Sequence, residues 1–257
     1  SVNEVVACHA GESADIAQSD GEKRRPQKPI ENNTVVPILA EDKAMKSFVK
    51  LPSKTFHRRE LKAPAIAFSD PGKGRAFFHE ALASGMCESY FSLAEHFQTQ
   101  SHYAYCGISS LCMALNTMLI DPGRVYSGPW RWFDDSMLDC CRELAVVQKK
   151  GIAMSELACL AKCNGALCEL VYASEISFDK FKSDVHLACS ESNKQARPVM
   201  VVSYSRREVN QTGSGHFSPI GAYAPQSEMI LIMDVARFKY PPHWVPLHAL
   251  WTAMLTT

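Results

Sequence analysis

Cys106, His216 and Asp234 have the side chains of a nucleophile, a base and a carboxylate that orients the base. Cys106 precedes Gly107 at the predicted start of a helix, where unpaired backbone N–H groups and the helix dipole lower the pKa of a thiol. His216 lies at the start of a predicted strand, and Asp234 lies at the end of the next apolar strand. A hairpin would bring the imidazole and the carboxylate together, facing the thiol. The pattern predicts nucleophilic catalysis by a Cys-His-Asp triad.

Each of these residues has a plainer interpretation when it is taken alone. Cys106 has the position of a buried structural thiol, His216 that of a histidine in a surface turn, and Asp234 that of a cap at a strand end. Their combination favours catalysis, because the order Cys, His, acid is that of papain-like proteases. Gln100, six residues before the thiol, is the candidate second donor to an oxyanion, together with the backbone N–H of Cys106.

The elements that must position these residues are helices first and strands later, which indicates an α+β fold. Apolar residues at helical spacing predict helices near Phe77 and Tyr90, and further helices at 106–118, 155–163, 177–188 and 247–255. The predicted strands are 199–204, 216–223 and 229–235. Residues 1–53 have one aromatic residue, Phe48, and a polar, charged run, so they are predicted to be a disordered tail before a catalytic domain at 54–257.

Composition excludes several classes of protein. Lysine plus arginine and aspartate plus glutamate are both 27 in 257 residues, and a chain without a basic excess is not typical of nucleic-acid binders. The apolar runs are shorter than the roughly 18 residues of a membrane span, and no secretory signal is visible. Ten cysteines are too sparse for a disulfide scaffold. The sequence therefore predicts a cytoplasmic enzyme with mostly reduced thiols, without a nucleic-acid or membrane partner.

Several long motifs resemble those of the phytochelatin synthase family, from about Thr55 to the end of the chain. They are 98–101 (QTQS), 104–107 (AYCG), 120–124 (IDPGR), 128–134 (GPWRWFD), 136–141 (SMLDCC), 211–223 and 234–246 (DVARFKYPPHWVP). Two positions depart from the plant members: His102-Tyr103 replaces Glu-Pro, and Lys162 replaces a histidine. We also expect this domain to be truncated at its C-terminal end, since the sequence stops before a final strand and lacks the family's cysteine-rich extension.

The resemblance implies a papain-like fold, in which a helical N-terminal part with the nucleophile packs on an antiparallel sheet with the histidine and the aspartate. It implies an acyltransferase whose triad is Cys106, His216 and Asp234. The implied reaction transfers γ-glutamylcysteine from glutathione to a second glutathione or to a phytochelatin, and it releases glycine. No tightly bound cofactor is implied. A heavy-metal ion, Cd²⁺ or Zn²⁺, acts as activator or enters as the thiolate complex of the substrate.

The resemblance also implies substrate-binding roles for Arg206, Arg237 and Tyr240, which suit an anion with two carboxylates. Lys239 is interpreted as a surface residue. The segment 130–133 (WRWF) is interpreted as core, with its arginine stacked on an aromatic face.

Four cysteines outside the triad are candidate ligands for a soft metal ion. Cys159 and Cys163 share a helical face, and Cys140 and Cys141 precede them. The alternative is that these thiols are small apolar residues of the core.

Two other functions stay open. The same triad with water as acceptor would be a hydrolase of glutathione or its conjugates. A non-catalytic thiol protein that binds metal would not need Cys106, His216 and Asp234 to meet. The oligomeric state also stays open, including a homodimer.

Overall fold

The computed structural model describes the backbone of Glu4–Ala10 and residues 54–190 and 198–256. The strands of these residues are β1 (Glu4–Ala10), β2 (Ile66–Ala67), β3 (Val125–Ser127), β4 (Trp130–Arg131), β5 (Ala166–Tyr172), β6 (Val199–Ser205), β7 (Gly215–Ala224), β8 (Met229–Ile232) and β9 (His243–Pro246). The helices are α1 (Lys73–Ala83), α2 (Glu88–Glu95), α3 (Cys106–Thr117), α4 (Leu144–Lys150), α5 (Met154–Cys163), α6 (Phe178–Cys189) and α7 (Leu247–Leu255).

Seven strands form one antiparallel sheet in the order β2-β9-β8-β7-β6-β1-β5. Side chains alternate between the two faces of a strand, and both faces of β6 are buried. Val199 and Val201 belong to the cluster that contains α3 and α5, whereas Met200 and Val202 belong to the cluster that contains α6 and α7. The α+β prediction is confirmed, but helices cover both faces of the sheet.

Several predicted boundaries agree with the structure. Cys106 begins α3, and Ser177 caps α6 by accepting a hydrogen bond from the backbone N–H of Lys180 at 3.1 Å. Neither β5 nor β9 was predicted. The partner of β5, Glu4–Ala10, is distant in the chain, and β9 has only four residues, too few for a clear periodic pattern. No helix in the described part of the chain has the length and apolarity that a bilayer crossing requires.

The N-terminal segment differs from its prediction. The backbone of Glu4–Ala10 pairs with both β5 and β6, so it lies inside the sheet rather than in a tail. A strand partner on each side satisfies its backbone groups. Residues 11–53 of the predicted tail lie outside the described residues.

The prediction that residues 130–133 form core is wrong for most of them. Trp130 is 72% exposed, and Arg131 pairs with Asp121 at 2.8 Å rather than with an aromatic ring. The short β3–β4 pair is separate from the main sheet, so it has no second layer to cover it. Phe133 alone is fully buried, and its N–H donates to the side chain of Asn116 on α3.

Candidate active site

Helix α3 places Cys106 against strand β7. The helix is buried along its length after Cys106, and the hydroxyl of Ser110 donates to the carbonyl of Phe217 at 3.2 Å. Gly107 permits this packing, because a Cβ at that position would lie 2.5 Å from Cγ2 of Ile152. Phe217 directly follows His216 in β7, so the start of α3 is seated beside the predicted base.

The thiol of Cys106 is held in its neutral form in the resting site. Burial raises the pKa of Cys106, and this exceeds the lowering by the backbone N–H groups of Phe217 and Gly107 and by the charge of Arg206. The expectation that the helix start lowers this pKa is therefore wrong for the unliganded protein, because desolvation of a thiolate outweighs the helix terminus.

His216 and Asp234 are in contact, as the predicted hairpin requires. His216 lies in β7, Asp234 follows the neighbouring β8, and Nε2 of the imidazole lies 2.9 Å from Oδ1 of the carboxylate. Both side chains are buried. Because the carboxylate accepts at Nε2, the neutral imidazole has its proton there and Nδ1 is the free base nitrogen.

Arg206 lies in the interior, where its guanidinium pairs with Asp234. Nη2 of Arg206 lies 3.0 Å from Oδ1 and 2.8 Å from Oδ2 of the carboxylate, and Nη1 donates to Oε1 of Gln211. Gln211 in turn contacts Nε2 of His243 at 2.7 Å, and Nδ1 of His243 donates to the carbonyl of Pro241 at 2.9 Å. A continuous chain of buried polar groups thus supports the carboxylate.

This environment sets the charge of the histidine and the aspartate. Burial, followed by the nearby guanidinium of Arg206, lowers the pKa of His216 to about 4, although Asp234 opposes the shift. Burial would raise the pKa of Asp234, but His216, Arg206 and His243 outweigh it and hold that pKa well below its ordinary value. At neutral pH the imidazole is uncharged, so it can accept a proton, and the carboxylate is ionised.

Gln100 is buried close to the loop that follows Asp234. Its backbone N–H donates to the carbonyl of Val235 at 3.0 Å, and one side-chain N–H donates to the carbonyl of His102 at 2.8 Å. Its Oε1 is buried and has no hydrogen-bond partner among the residues that the structure describes. The second N–H of the amide stays available for a ligand.

Asp135, which was not predicted as a site residue, fixes the segment before Cys106. This buried carboxylate accepts from the amide of Gln98 at 3.1 Å and from the N–H and hydroxyl of Ser101 at 3.1 and 2.7 Å. The hydroxyl of Ser109 on α3 donates to it at 2.9 and 2.8 Å. Asp135 therefore links the loop of Gln100 to the helix of Cys106.

The other predicted binding residues lie in the loop after Asp234. The guanidinium of Arg237 is exposed and lies 4.7 Å from the ring centre of Phe97. Tyr240 is buried, and its hydroxyl accepts from the backbone N–H of Thr212 at 2.9 Å. Lys239 is half-buried rather than on the surface, and its ammonium donates to the carbonyl of Thr212.

The four candidate metal-ligating cysteines are close together but are joined as disulfides. Cys140 pairs with Cys163, and Cys141 pairs with Cys159, which contradicts the prediction that these thiols are reduced. Helix α5 directs both of its cysteines at the loop before α4, and the paired Cα atoms are 6.8 and 6.2 Å apart, within disulfide range. Sulfur atoms of Cys140, Cys141 and Cys163 all lie within 4.8 Å of one another.

Comparison with known proteins shows the family of this chain. Residues 56–257 match the family model described as phytochelatin synthase. The chain belongs to the phytochelatin synthase family. Similar relatives include glutathione gamma-glutamylcysteinyltransferase 1 of Arabidopsis thaliana, 51% identical over 201 residues, and glutathione gamma-glutamylcysteinyltransferase 3 of Lotus japonicus, 48% identical over 207 residues. The relative from Schizosaccharomyces pombe, named glutathione gamma-glutamylcysteinyltransferase, is 44% identical over 201 residues.

These matches cover most of this chain but less than half of each relative. The match to the Arabidopsis protein spans 78% of this chain and 40% of the relative, and the match to the Lotus protein spans 80% and 42%. The match to the Schizosaccharomyces protein spans 78% of this chain and 47% of the relative. The comparison therefore concerns the domain that contains Cys106, His216 and Asp234.

Proposed function

We propose that this chain is a γ-glutamylcysteinyl transferase that acts on glutathione, with a papain-like catalytic domain. The observation that supports it most directly is the position of Cys106, whose thiol faces the backbone N–H of Phe217, next to the His216–Asp234 pair. A nucleophile at a helix start, packed on an antiparallel sheet with the base and its carboxylate, is the arrangement that a papain-like acyl transfer requires. The names of the relatives supply the substrate.

The first half-reaction forms a thioester. Nδ1 of His216 takes the proton of Cys106, and the sulfur attacks the carbonyl carbon of the cysteinyl-glycine bond. The backbone N–H of Cys106 and the amide of Gln100 stabilise the oxyanion of the tetrahedral intermediate. Glycine leaves with the proton held by His216, while Asp234 stabilises the transient imidazolium.

The second half-reaction regenerates the thiol. The amine of a second glutathione or of a phytochelatin loses a proton to His216 and attacks the thioester carbonyl. The new amide forms, the sulfur leaves, and His216 returns the proton to it. Arg237, exposed beside the site, and Tyr240, behind it, are the proposed substrate-binding residues, as the family resemblance implies. The resemblance implies the same role for Arg206, but this guanidinium is buried and paired with Asp234, so we assign it to holding the carboxylate.

Product analysis by mass spectrometry tests this function. The protein is incubated with glutathione, with and without Cd²⁺, and compared with the variants Cys106→Ser and Cys168→Ser. We expect glycine and γ-glutamylcysteinyl oligomers from the parent and from Cys168→Ser, a cysteine in β5, but neither product from Cys106→Ser. If the products are glycine and free γ-glutamylcysteine without oligomers, the protein is a hydrolase and not a transferase. If Cys106→Ser still forms products, Cys106 is not the nucleophile.

We further propose that reduction of the two disulfides creates a binding site for Cd²⁺ or Zn²⁺ at Cys140, Cys141, Cys159 and Cys163. The metal–sulfur distance of about 2.3 Å in a tetrahedral site places sulfurs about 3.8 Å apart. The sulfurs of three of these residues already lie within 4.8 Å of one another, and Cys159 is joined to one of them. Thiols predominate in a reducing compartment such as the cytoplasm.

Titration of Cd²⁺ against the reduced protein tests the metal site. We expect tight binding that is lost on oxidation and weakened in Cys159→Ala/Cys163→Ala, while Cys106→Ser retains it. If the double variant keeps full Cd²⁺ affinity, the four cysteines are not the ligands, and metal enters only as the thiolate complex of glutathione.

A further inference from the structure

A cationic groove adjoins the candidate active site. This open groove of about 820 Å³ lies between residues 58–70 and the loop 237–242. Arg58, Arg59, Arg237 and Lys239 line it, and Asp70 is the one carboxylate among the described residues that line it. Arg58 and Arg59 take no part in the reaction described above.

Within the described part of the chain, Arg58, Arg237 and Lys239 bring three positive charges to the groove against the one carboxylate of Asp70. Oδ1 of Asp70 accepts from the backbone N–H groups of Gly72 and Lys73 at 3.1 and 2.7 Å, and these contacts at the start of α1 lower its pKa. Among the described residues, no carboxylate lies within ion-pair distance of Arg58, Arg237 or Lys239. An anionic ligand would compensate this excess.

Lys239 joins the groove to the catalytic residues. The backbone N–H of Arg59 donates to the carbonyl of Lys239 at 3.1 Å, which fixes the segment of Arg58 beside this loop. Burial and the like charges of Arg206 and Arg59 lower the pKa of Lys239, whereas Cys106 and Asp234 act in the opposite direction. Its ammonium is thus within electrostatic range of both the nucleophile and the groove.

The opposite side of the groove also leads to the site. Thr99 lines the groove, and the next residue is Gln100, whose N–H bonds to the loop after Asp234. Thr99 and Lys239 therefore place the groove close to the proposed oxyanion residue and to the loop after Asp234.

We propose that this groove binds acceptor peptides longer than glutathione through their γ-glutamyl carboxylates, with Arg58 and Arg59 contacting the units farthest from Cys106. The inference rests on the proposed transferase function. Each γ-glutamyl unit is linked through its side-chain carboxyl and keeps a free α-carboxylate, so every added repeat adds one anion. A row of guanidinium groups pairs with successive carboxylates and so favours a longer acceptor over glutathione.

Direct binding measurements test this proposal. The full chain with Cys106→Ala, which cannot turn over, is titrated with S-methylated glutathione and with an S-methylated peptide of three γ-glutamylcysteinyl repeats. We expect Arg58→Gln to weaken binding of the three-repeat peptide by about 2- to 5-fold relative to glutathione, the range of one exposed ion pair. Arg58→Glu should weaken it further, and Arg58→Lys should restore part of the loss.

Arg75→Gln is the matched control, since Arg75 is an exposed arginine of α1 outside the groove, and it should change neither affinity. The preference for the longer peptide should also fall as salt is added. If Arg58→Glu weakens the binding of glutathione and of the three-repeat peptide equally, or leaves both affinities unchanged, the proposal is wrong. Glycine release from glutathione, measured with Cys106 present, reports separately on the proposed function, because it needs no long acceptor.

Discussion

Replacing Arg206 by glutamine removes the cation that faces Asp234, the proposed catalytic carboxylate. Arg206 is 2% exposed and Asp234 is fully buried, and the pair is in contact at 2.8 Å. Removing one partner of a buried pair typically costs about 3–5 kcal/mol, because the other charge stays desolvated. Glutamine can still donate a hydrogen bond to Asp234, so we expect a loss near the lower limit, about 3 kcal/mol. Urea denaturation at pH 7 measures it.

The same variant should change the titration of His216. After burial, Arg206 is the largest cause of the low pKa of this imidazole, so its removal must raise that pKa from about 4 towards the ordinary value. The acid limb of kcat/KM for glutathione reports a catalytic base in the free enzyme, and it should move to higher pH. If Arg206 instead binds a substrate carboxylate, KM should rise while the acid limb stays where it was.

Arg207→Gln provides the control, since Arg207 is the adjacent, exposed arginine. It should alter neither the unfolding free energy nor the pH profile. An Arg206→Gln protein that loses less than about 1 kcal/mol and keeps its acid limb would refute the role assigned to this pair.

Three further outcomes are expected. The pKa of His216 is about 6.5 in the unfolded chain and about 4 in the folded one, so the unfolded chain binds an extra proton between these values. The unfolding free energy, measured by urea denaturation, should therefore fall by up to about 3 kcal/mol as pH is lowered from 7 to 4. This part of the loss should be absent in His216→Asn. Asp135→Asn should lower the unfolding free energy by about 2–4 kcal/mol and reduce kcat, because four donors share the two carboxylate oxygens and asparagine keeps only one of them. The exposed variant Asp139→Asn should do neither. Deleting residues 1–53 removes β1 and should lower Tm by more than about 10 °C; an unchanged Tm would mean that the sheet does not need this strand.

Local sequence signals were sufficient for the elements that bear the proposed triad. A glycine after Cys106 and the apolar residues of β7 and β8 are short-range patterns, and the structure has elements at these places. The contact between His216 and Asp234 followed from a single hairpin. Such features depend on residues that are close in the chain.

Features that depend on distant partners were missed. The family resemblance implied that Arg206 binds substrate, but its partner in the folded chain is Asp234, 28 residues away. The pKa of Cys106 was expected to fall because the helix start is visible in the sequence, whereas burial is not. Trp130 was expected in the core because of its apolarity, yet its short strand pairs only with β3. Each error concerns burial or a tertiary partner, which no local pattern reports.

Peptide mapping of the acylated protein tests the central claim most directly. The protein is mixed with glutathione, stopped in acid and digested, and the γ-glutamylcysteinyl group is located by mass spectrometry. The account predicts this group on the peptide that contains Cys106, its absence from Cys106→Ser, and its persistence in Cys168→Ser. A γ-glutamylcysteinyl group on any other cysteine, or its formation in Cys106→Ser, would contradict the mechanism.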